Sequence, residues 1–141
     1  MKILIIDDCE ADRELIVNYL KNINIKNDII KATQAKTLKE AFTLLMNKSF
    51  DIIILDLKLP ESEGIETLIN LNNFLKEQEK PIPIIILTGF DDYKVGKMAM
   101  DLGAKDFLIK DEIRSKALKQ SLVFATYYNG YSNGHLKEHN N

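Results

Sequence analysis

Cysteine is nearly absent. Cys9 stands alone in 141 residues, so no intrachain disulfide can form and a disulfide scaffold is excluded. A single thiol points to a reducing compartment, and the expected location is cytoplasmic. Long apolar runs are also missing. Met1-Lys2 is followed by only four apolar residues, Ile3 to Ile6, before Asp7-Asp8, so no secretory leader is expected. No run approaches the ~20 residues of a membrane-spanning helix. Charge of one sign is scarce too. Lys and Arg number 19 against 21 Asp and Glu, a net charge of −2, which gives no broad attraction to nucleic acid or an anionic bilayer. Finally, no glycine-rich loop follows the first apolar run, and Asp7-Asp8 there would repel phosphate unless a metal intervened. This counts against a flavin- or nucleotide-binding domain.

What is present fits one globular domain with a full core: 45% hydrophobic and 28% charged residues, without internal repeats. Five short apolar stretches read as strands. They are Ile3 to Ile6, the more polar Asp28 to Thr33, Ile52 to Leu55 within Asp51–Asp56, Ile84 to Leu87 after Pro81-Ile82-Pro83, and Asp106 to Ile109. Between them lie segments with helical apolar spacing. Residues 9–22 carry Ala11, Leu15, Ile16, Tyr19 and Leu20 and are expected to start at an Asp8 cap. Thr37-Leu38-Lys39-Glu40 is a capping box. A third helix follows Gly64. A fourth is expected to be capped by Asp91-Asp92 and stopped by Gly103, and a fifth to be capped by Asp111. Strands alternating with helices predict a (βα)5 α/β domain whose sheet is parallel and covered on both faces. The weak second strand belongs at an edge and the all-apolar strands inside. This favours the doubly wound, flavodoxin-like order 2-1-3-4-5. The domain is expected over residues 1–128, with residues 129–141 as a disordered tail or linker stub.

A parallel sheet places every strand's carboxyl end on one edge. There the first strand delivers Asp7 and Asp8, the third Asp56, the fourth Thr88 and the fifth Lys110. Clustered carboxylates repel one another unless a cation sits among them. An all-oxygen set with open positions matches Mg²⁺, Thr88 offers a hydroxyl, and Lys110 offers a point charge for phosphate oxygens. Together these are equipment for placing a phosphoryl group on Asp56.

Ile5-Ile6-Asp7-Asp8, Ile54-Leu55-Asp56-Leu57-Lys58-Leu59-Pro60 with Gly64, Ile86-Leu87-Thr88-Gly89 and Phe107-Leu108-Ile109-Lys110 resemble the receiver domain of two-component response regulators, over residues 2–126. The resemblance implies that Asp56 accepts a phosphoryl group from the phosphohistidine of a sensor histidine kinase or phosphotransfer protein. It implies direct Mg²⁺ ligation by Asp8, Asp56 and the Lys58 backbone carbonyl, with Asp7 acting through water. Lys110 would pair with the phosphoryl oxygens. Thr88 would turn inward, followed by Phe107 as the switch aromatic, altering the surface of helix 4, strand 5 and helix 5. That surface would serve a downstream protein, an attached output domain or a homodimer. Such a module switches and is not a turnover enzyme. The chain is expected to be either a stand-alone receiver or the receiver piece of a longer protein.

The chain departs from the family pattern at Asp111, where many members have Pro, so the usual cis bond after Lys110 is not expected. Everyday readings also exist. Asp7-Asp8 alone is a capping pair, Asp56 a turn residue, Thr88-Gly89 a turn and Lys110 a surface lysine. Cys9 reads as structural, Met98 and Met100 as packing, and His135 and His139 as solvated. Val123, Phe124, Tyr127 and Tyr128 read either as core wrapping or as a patch for a dimer mate or attached domain. The rival activity is a Mg²⁺-dependent phosphohydrolase with Asp56 as nucleophile. Such enzymes carry a second Asp two residues on, where this chain has Lys58.

Overall fold

Alternation along the strands explains the layering. In β1 (Lys2–Ile6), Ile3 and Ile5 point to one face of the sheet and Leu4 and Ile6 to the other, and all four are fully buried. The computed structural model describes residues 1–89 and 93–130, with side chains through residue 127. The remaining strands are β2 (Lys31–Ala35), β3 (Ile52–Leu55), β4 (Ile84–Thr88) and β5 (Asp106–Ile109). All five pair in parallel in the order β2-β1-β3-β4-β5, as the strand pattern predicts.

Helices α1 (Glu10–Lys21) and α5 (Ser115–Gly130) cover one face. Ile16, Leu20, Leu118, Leu122 and Ala125 meet Ile3, Ile5, Ile52, Ile54, Ile85 and Leu87 there. Helices α2 (Leu38–Asn47), α3 (Ile65–Glu77) and α4 (Tyr93–Asp101) cover the other. Leu38, Leu45, Leu68, Leu71 and Ala99 pack on Leu4, Ile6, Ile53, Leu55 and Ile86. Each fully buried Ile or Leu contributes roughly 1.5–3 kcal/mol, so the two layers together fix the sheet edge on which the polar residues stand. At the end of α4, Gly103 adopts φ +98°, which L side chains resist, and the Ala104 N–H reaches back to the Ala99 carbonyl at 3.0 Å.

Several local expectations fail for physical reasons. The second strand begins at Lys31, not Asp28, because it pairs from Lys2↔Lys31 to Ile6↔Ala35. The Ile29-Ile30 pair mimics a strand start. Instead Ile29 is 73% exposed, its carbonyl accepts from the Met1 ammonium, and Asp28 closes a turn onto the Ile25 carbonyl. Asp8 does not cap α1. The N-cap is Cys9, which is exposed and provides no side-chain cap bond. Asp111 does not cap α5 either: it lies in a 3-10 turn, Lys110–Glu112, and the helix begins at Ser115. No cis peptide bond occurs among the described residues, as expected at Asp111. Ala11 and Leu15 face solvent, as do Met98, Met100, Val123, Phe124 and Tyr127. A two-residue hairpin, Lys58–Leu59 against Ser62–Glu63, has no counterpart in the sequence reading. Asp91, Asp92, the side chain of Tyr128, His135, His139 and the tail beyond residue 130 lie outside the described residues.

The Thr37 cap is as expected, its Oγ1 accepting the Glu40 N–H at 3.0 Å. Thr37→Ala is predicted to cost about 1 kcal/mol. A urea titration checks this through a lower midpoint at unchanged slope.

Candidate functional site

Backbone pairing fixes the floor of the site. The Asp7 N–H bonds the Ala35 carbonyl of β2 at 3.0 Å, and the Asp56 N–H bonds the Ile6 carbonyl of β1 at 2.9 Å. Both residues therefore stand just past the ends of adjacent parallel strands, with their carboxylates side by side. Asp7, Asp8 and Asp56 each offer an oxygen, and these oxygens lie within 4.8 Å of one another. Asp7 and Asp56 are only 2% and 6% exposed, whereas Asp8 faces solvent. Lys110, just past the end of β5, reaches across. Its ammonium lies 2.8 Å from Asp56 Oδ2 and 2.7 Å from Asp7 Oδ2. Asp56 Oδ1 accepts the Lys58 N–H at 3.1 Å, and Asp7 Oδ1 accepts the Cys9 N–H at 3.0 Å. Arg13 braces the floor, donating to the Asp7 backbone carbonyl at 2.6 Å.

A fourth carboxylate enters from the first turn of α1. Asp12 Oδ2 accepts from Lys110 Nζ at 2.8 Å. An acidic residue in the first turn of a helix ordinarily complements the helix dipole, and the sequence alone assigns Asp12 no further role. The available signal was its position four residues after Asp8, one helical turn into α1 and on the side of the sheet edge.

One Lys110 ammonium therefore faces three carboxylates, with Asp8 close by. The bond to Lys110 lowers the Asp12 pKa. Burial costs Lys110 its charge, but Asp12, Asp56 and Asp7 outweigh that cost and raise its pKa above the ordinary lysine value. Asp7 moves the other way. Burial pushes its pKa up, against the downward pull of Lys110 and the Cys9 N–H. The Lys110 ammonium lies 2.7 Å from Asp7 Oδ2 as an ion pair. Among the described residues, this oxygen and Ser121 Oγ are the buried side-chain polar atoms left without a hydrogen-bond partner. An orphaned anionic oxygen in an all-oxygen set, with one exposed member leaving room for water, fits a hard divalent cation such as Mg²⁺.

Thr88 is 1% exposed, at the end of β4. It lines two clefts. The first, of about 410 Å³, opens over the cluster and also contacts Asp8, Asp12, Asp56, Lys58 and Lys110. The second, of about 340 Å³, lies behind it and is bounded by Lys58, Gly64, Val95 and Phe107. Phe107 lines the second cleft but not the first, and Thr88 and Lys58 line both. The Phe107 ring packs on Gly96 of α4, where a Cβ would sit 3.4 Å from it. Above Lys58, Thr67 Oγ1 donates to the Leu57 carbonyl at 3.0 Å and tethers the loop after β3 to α3.

The raised pKa of Asp7 has a definite sign. A carboxyl whose pKa is higher folded than unfolded binds fewer protons when unfolded, so its ionisation destabilises the fold as pH rises. Asp7→Asn is predicted to raise Tm at neutral pH in metal-free buffer by about 2–5 °C. The gain should shrink as pH falls through the raised pKa, where the native carboxyl is itself protonated. Melting curves across pH check both parts.

Comparison with known proteins matches this geometry. The response regulator receiver domain family covers residues 3–122. The transcriptional regulatory protein SrrA of Staphylococcus aureus is 31% identical over 109 residues, 77% of this chain and 41% of that protein. A cyclic di-GMP phosphodiesterase of Thermotoga maritima is 26% identical over 140 residues, 97% of this chain and 35% of that protein. The chain thus spans about two fifths or less of these curated relatives. A response regulator receiver domain protein from Clostridium thermocellum superposes with a TM-score of 0.73 at 26% identity, covering 92% of this chain and 96% of that one. The receiver domain of a LuxO-type repressor from Vibrio parahaemolyticus shares the fold, with a TM-score of 0.77 at 23% identity and 94% of each chain covered. The family spans most of the sequence, and its fold holds the carboxylate edge where the strand pattern puts it: the chain belongs to the response regulator receiver domain family.

Proposed function

We propose that this receiver domain is a phosphoacceptor in a two-component phosphorelay and that Asp56 is the accepting residue. One observation carries the proposal. Asp56 is a buried carboxylate, grouped with Asp7 and Asp8 and held by Lys110 at 2.8 Å. An Asp56 oxygen attacks the phosphorus of a phosphohistidine on a sensor histidine kinase or phosphotransfer protein. The phosphorus–nitrogen bond breaks with its electron pair going to the imidazole, and Asp56 becomes an acyl phosphate. Asp8, Asp56 and the Lys58 backbone carbonyl are the residues that would hold Mg²⁺, with Asp7 through water. When bound, Mg²⁺ supplies positive charge against the carboxylates and the transferring phosphoryl oxygens.

The new charge on Asp56 then has two takers. Lys110 pairs with phosphoryl oxygens, and the Thr88 hydroxyl turns toward them. Thr88, with Lys58, lines both clefts, so its movement opens space toward Phe107, whose position against Gly96 ties it to α4. The surface of α4, β5 and α5 is the output face. It carries exposed Met98, Met100, Leu102, Phe124 and Tyr127, and serves a downstream protein, an attached output domain or a second copy. The domain is assigned to residues 1–128 and works in the cytoplasm. It is a switch and not a turnover enzyme. A phosphohydrolase is disfavoured because Lys58 stands where the second, proton-donating Asp would be.

Incubating the full chain with Mg²⁺ and acetyl phosphate and reading the intact mass checks this. One phosphoryl increment is expected on the native chain, lost with EDTA and absent from Asp56→Asn. No increment on the native chain, or an equal one on Asp56→Asn, contradicts the assignment.

A further inference from the structure

Lys110 has three N–H groups and more than one claimant. It is hydrogen-bonded to two carboxylates, Asp56 and Asp12, each at 2.8 Å, and it forms an ion pair with Asp7 at 2.7 Å. Asp12 is not one of the three residues whose oxygens cluster as a cation site. It meets the acceptor site through Lys110. We propose that Asp12 is a positioning residue of the phosphoacceptor site, a resident counter-anion that holds the Lys110 ammonium and competes with the phosphoryl group for it. The inference rests on the assignment of Asp56 as acceptor and adds a rate-setting residue to it.

Competition follows from charge and valence. Phosphorylation turns the Asp56 carboxylate, of charge −1, into an acyl phosphate carrying close to −2, a gain of about one negative charge together with strong acceptor oxygens. Lys110 must turn its N–H groups toward them, while Asp12 retains one of those groups. Asp12 also keeps a negative charge on the far side of the ammonium, which weakens the field Lys110 presents to the incoming phosphoryl group. The Asp12 side chain is 39% exposed against 17% for Lys110, so water screens the contact and its effect on rate is moderate. The competing role for Asp12 is structural: an acidic side chain in the first turn of α1 stabilises the helix dipole. That role affects stability whether or not Lys110 is present.

The two roles separate in a double-mutant cycle on the full chain, using Asp12→Asn, Lys110→Met and the pair. With acetyl phosphate and Mg²⁺, Asp12→Asn is expected to form the phosphoryl adduct about 3- to 10-fold faster than the native chain. In the Lys110→Met background, the same substitution is expected to change the rate less than about twofold. Melting in metal-free buffer gives a second reading, in which the two substitutions are expected to be non-additive. An unchanged or slower rate in Asp12→Asn overturns the proposal. So does an equal acceleration with Lys110→Met, or additive melting. If the native chain takes no adduct at all, it is the assignment of Asp56 that falls, and the role of Asp12 with it. Equal adduct rates on the native chain and Asp12→Asn remove the role of Asp12 alone.

Discussion

One ammonium among too many carboxylates is the constraint on which this molecule depends. Asp7 and Asp56 are taken out of water at the ends of adjacent strands, and Lys110 contacts both along with Asp12. Burial of one carboxylate beside another is unfavourable unless positive charge lies within reach. Lys110 meets only part of that demand: burial keeps the Asp7 pKa raised even with the Lys110 ammonium 2.7 Å away. The fold holds this imbalance in place because its two apolar layers are rigid and the strand register leaves no freedom at the edge. The site is therefore short of positive charge at rest. A divalent cation would supply the positive charge the cluster lacks.

The same packing ties the edge to the surface. Thr88 and Lys58 line both the anionic cleft and a second cleft that includes Phe107, and Phe107 rests on a glycine of α4. No side chain on Gly96 fills the space beside the ring. Exposed apolar residues stand on α4 and α5. The curated relatives are longer than this chain, and their names describe a transcriptional regulator and a phosphodiesterase. A common switch with separate outputs is consistent with a site confined to the receiver.

Much of this was legible in the sequence, and the failures are instructive. Strand order and the edge residues follow from all-apolar runs ending in polar residues, because a parallel sheet converts sequence position into spatial position. Short-range features were harder. Ile29-Ile30 looks like a strand, but pairing with β1 starts at Lys31, and no local preference encodes a register. Asp8 and Asp111 carry good capping side chains. Asp8 stands in the carboxylate group, Asp111 lies in a 3-10 turn, and the helices start later. Asp12 was missed because its partner, Lys110, is 98 residues away, and helix periodicity alone does not say which side chain the edge will meet.

The most direct test of the charge imbalance is a calorimetric titration of the native chain and Asp8→Ala with Mg²⁺. Asp8 is exposed, so its removal leaves the core intact while taking one oxygen donor from the cluster. A single binding site on the native chain, lost or strongly weakened in Asp8→Ala, is the predicted result. The absence of Mg²⁺ binding to the native chain, or equal binding to both proteins, would contradict the assignment of this carboxylate edge as the metal-dependent centre of the receiver.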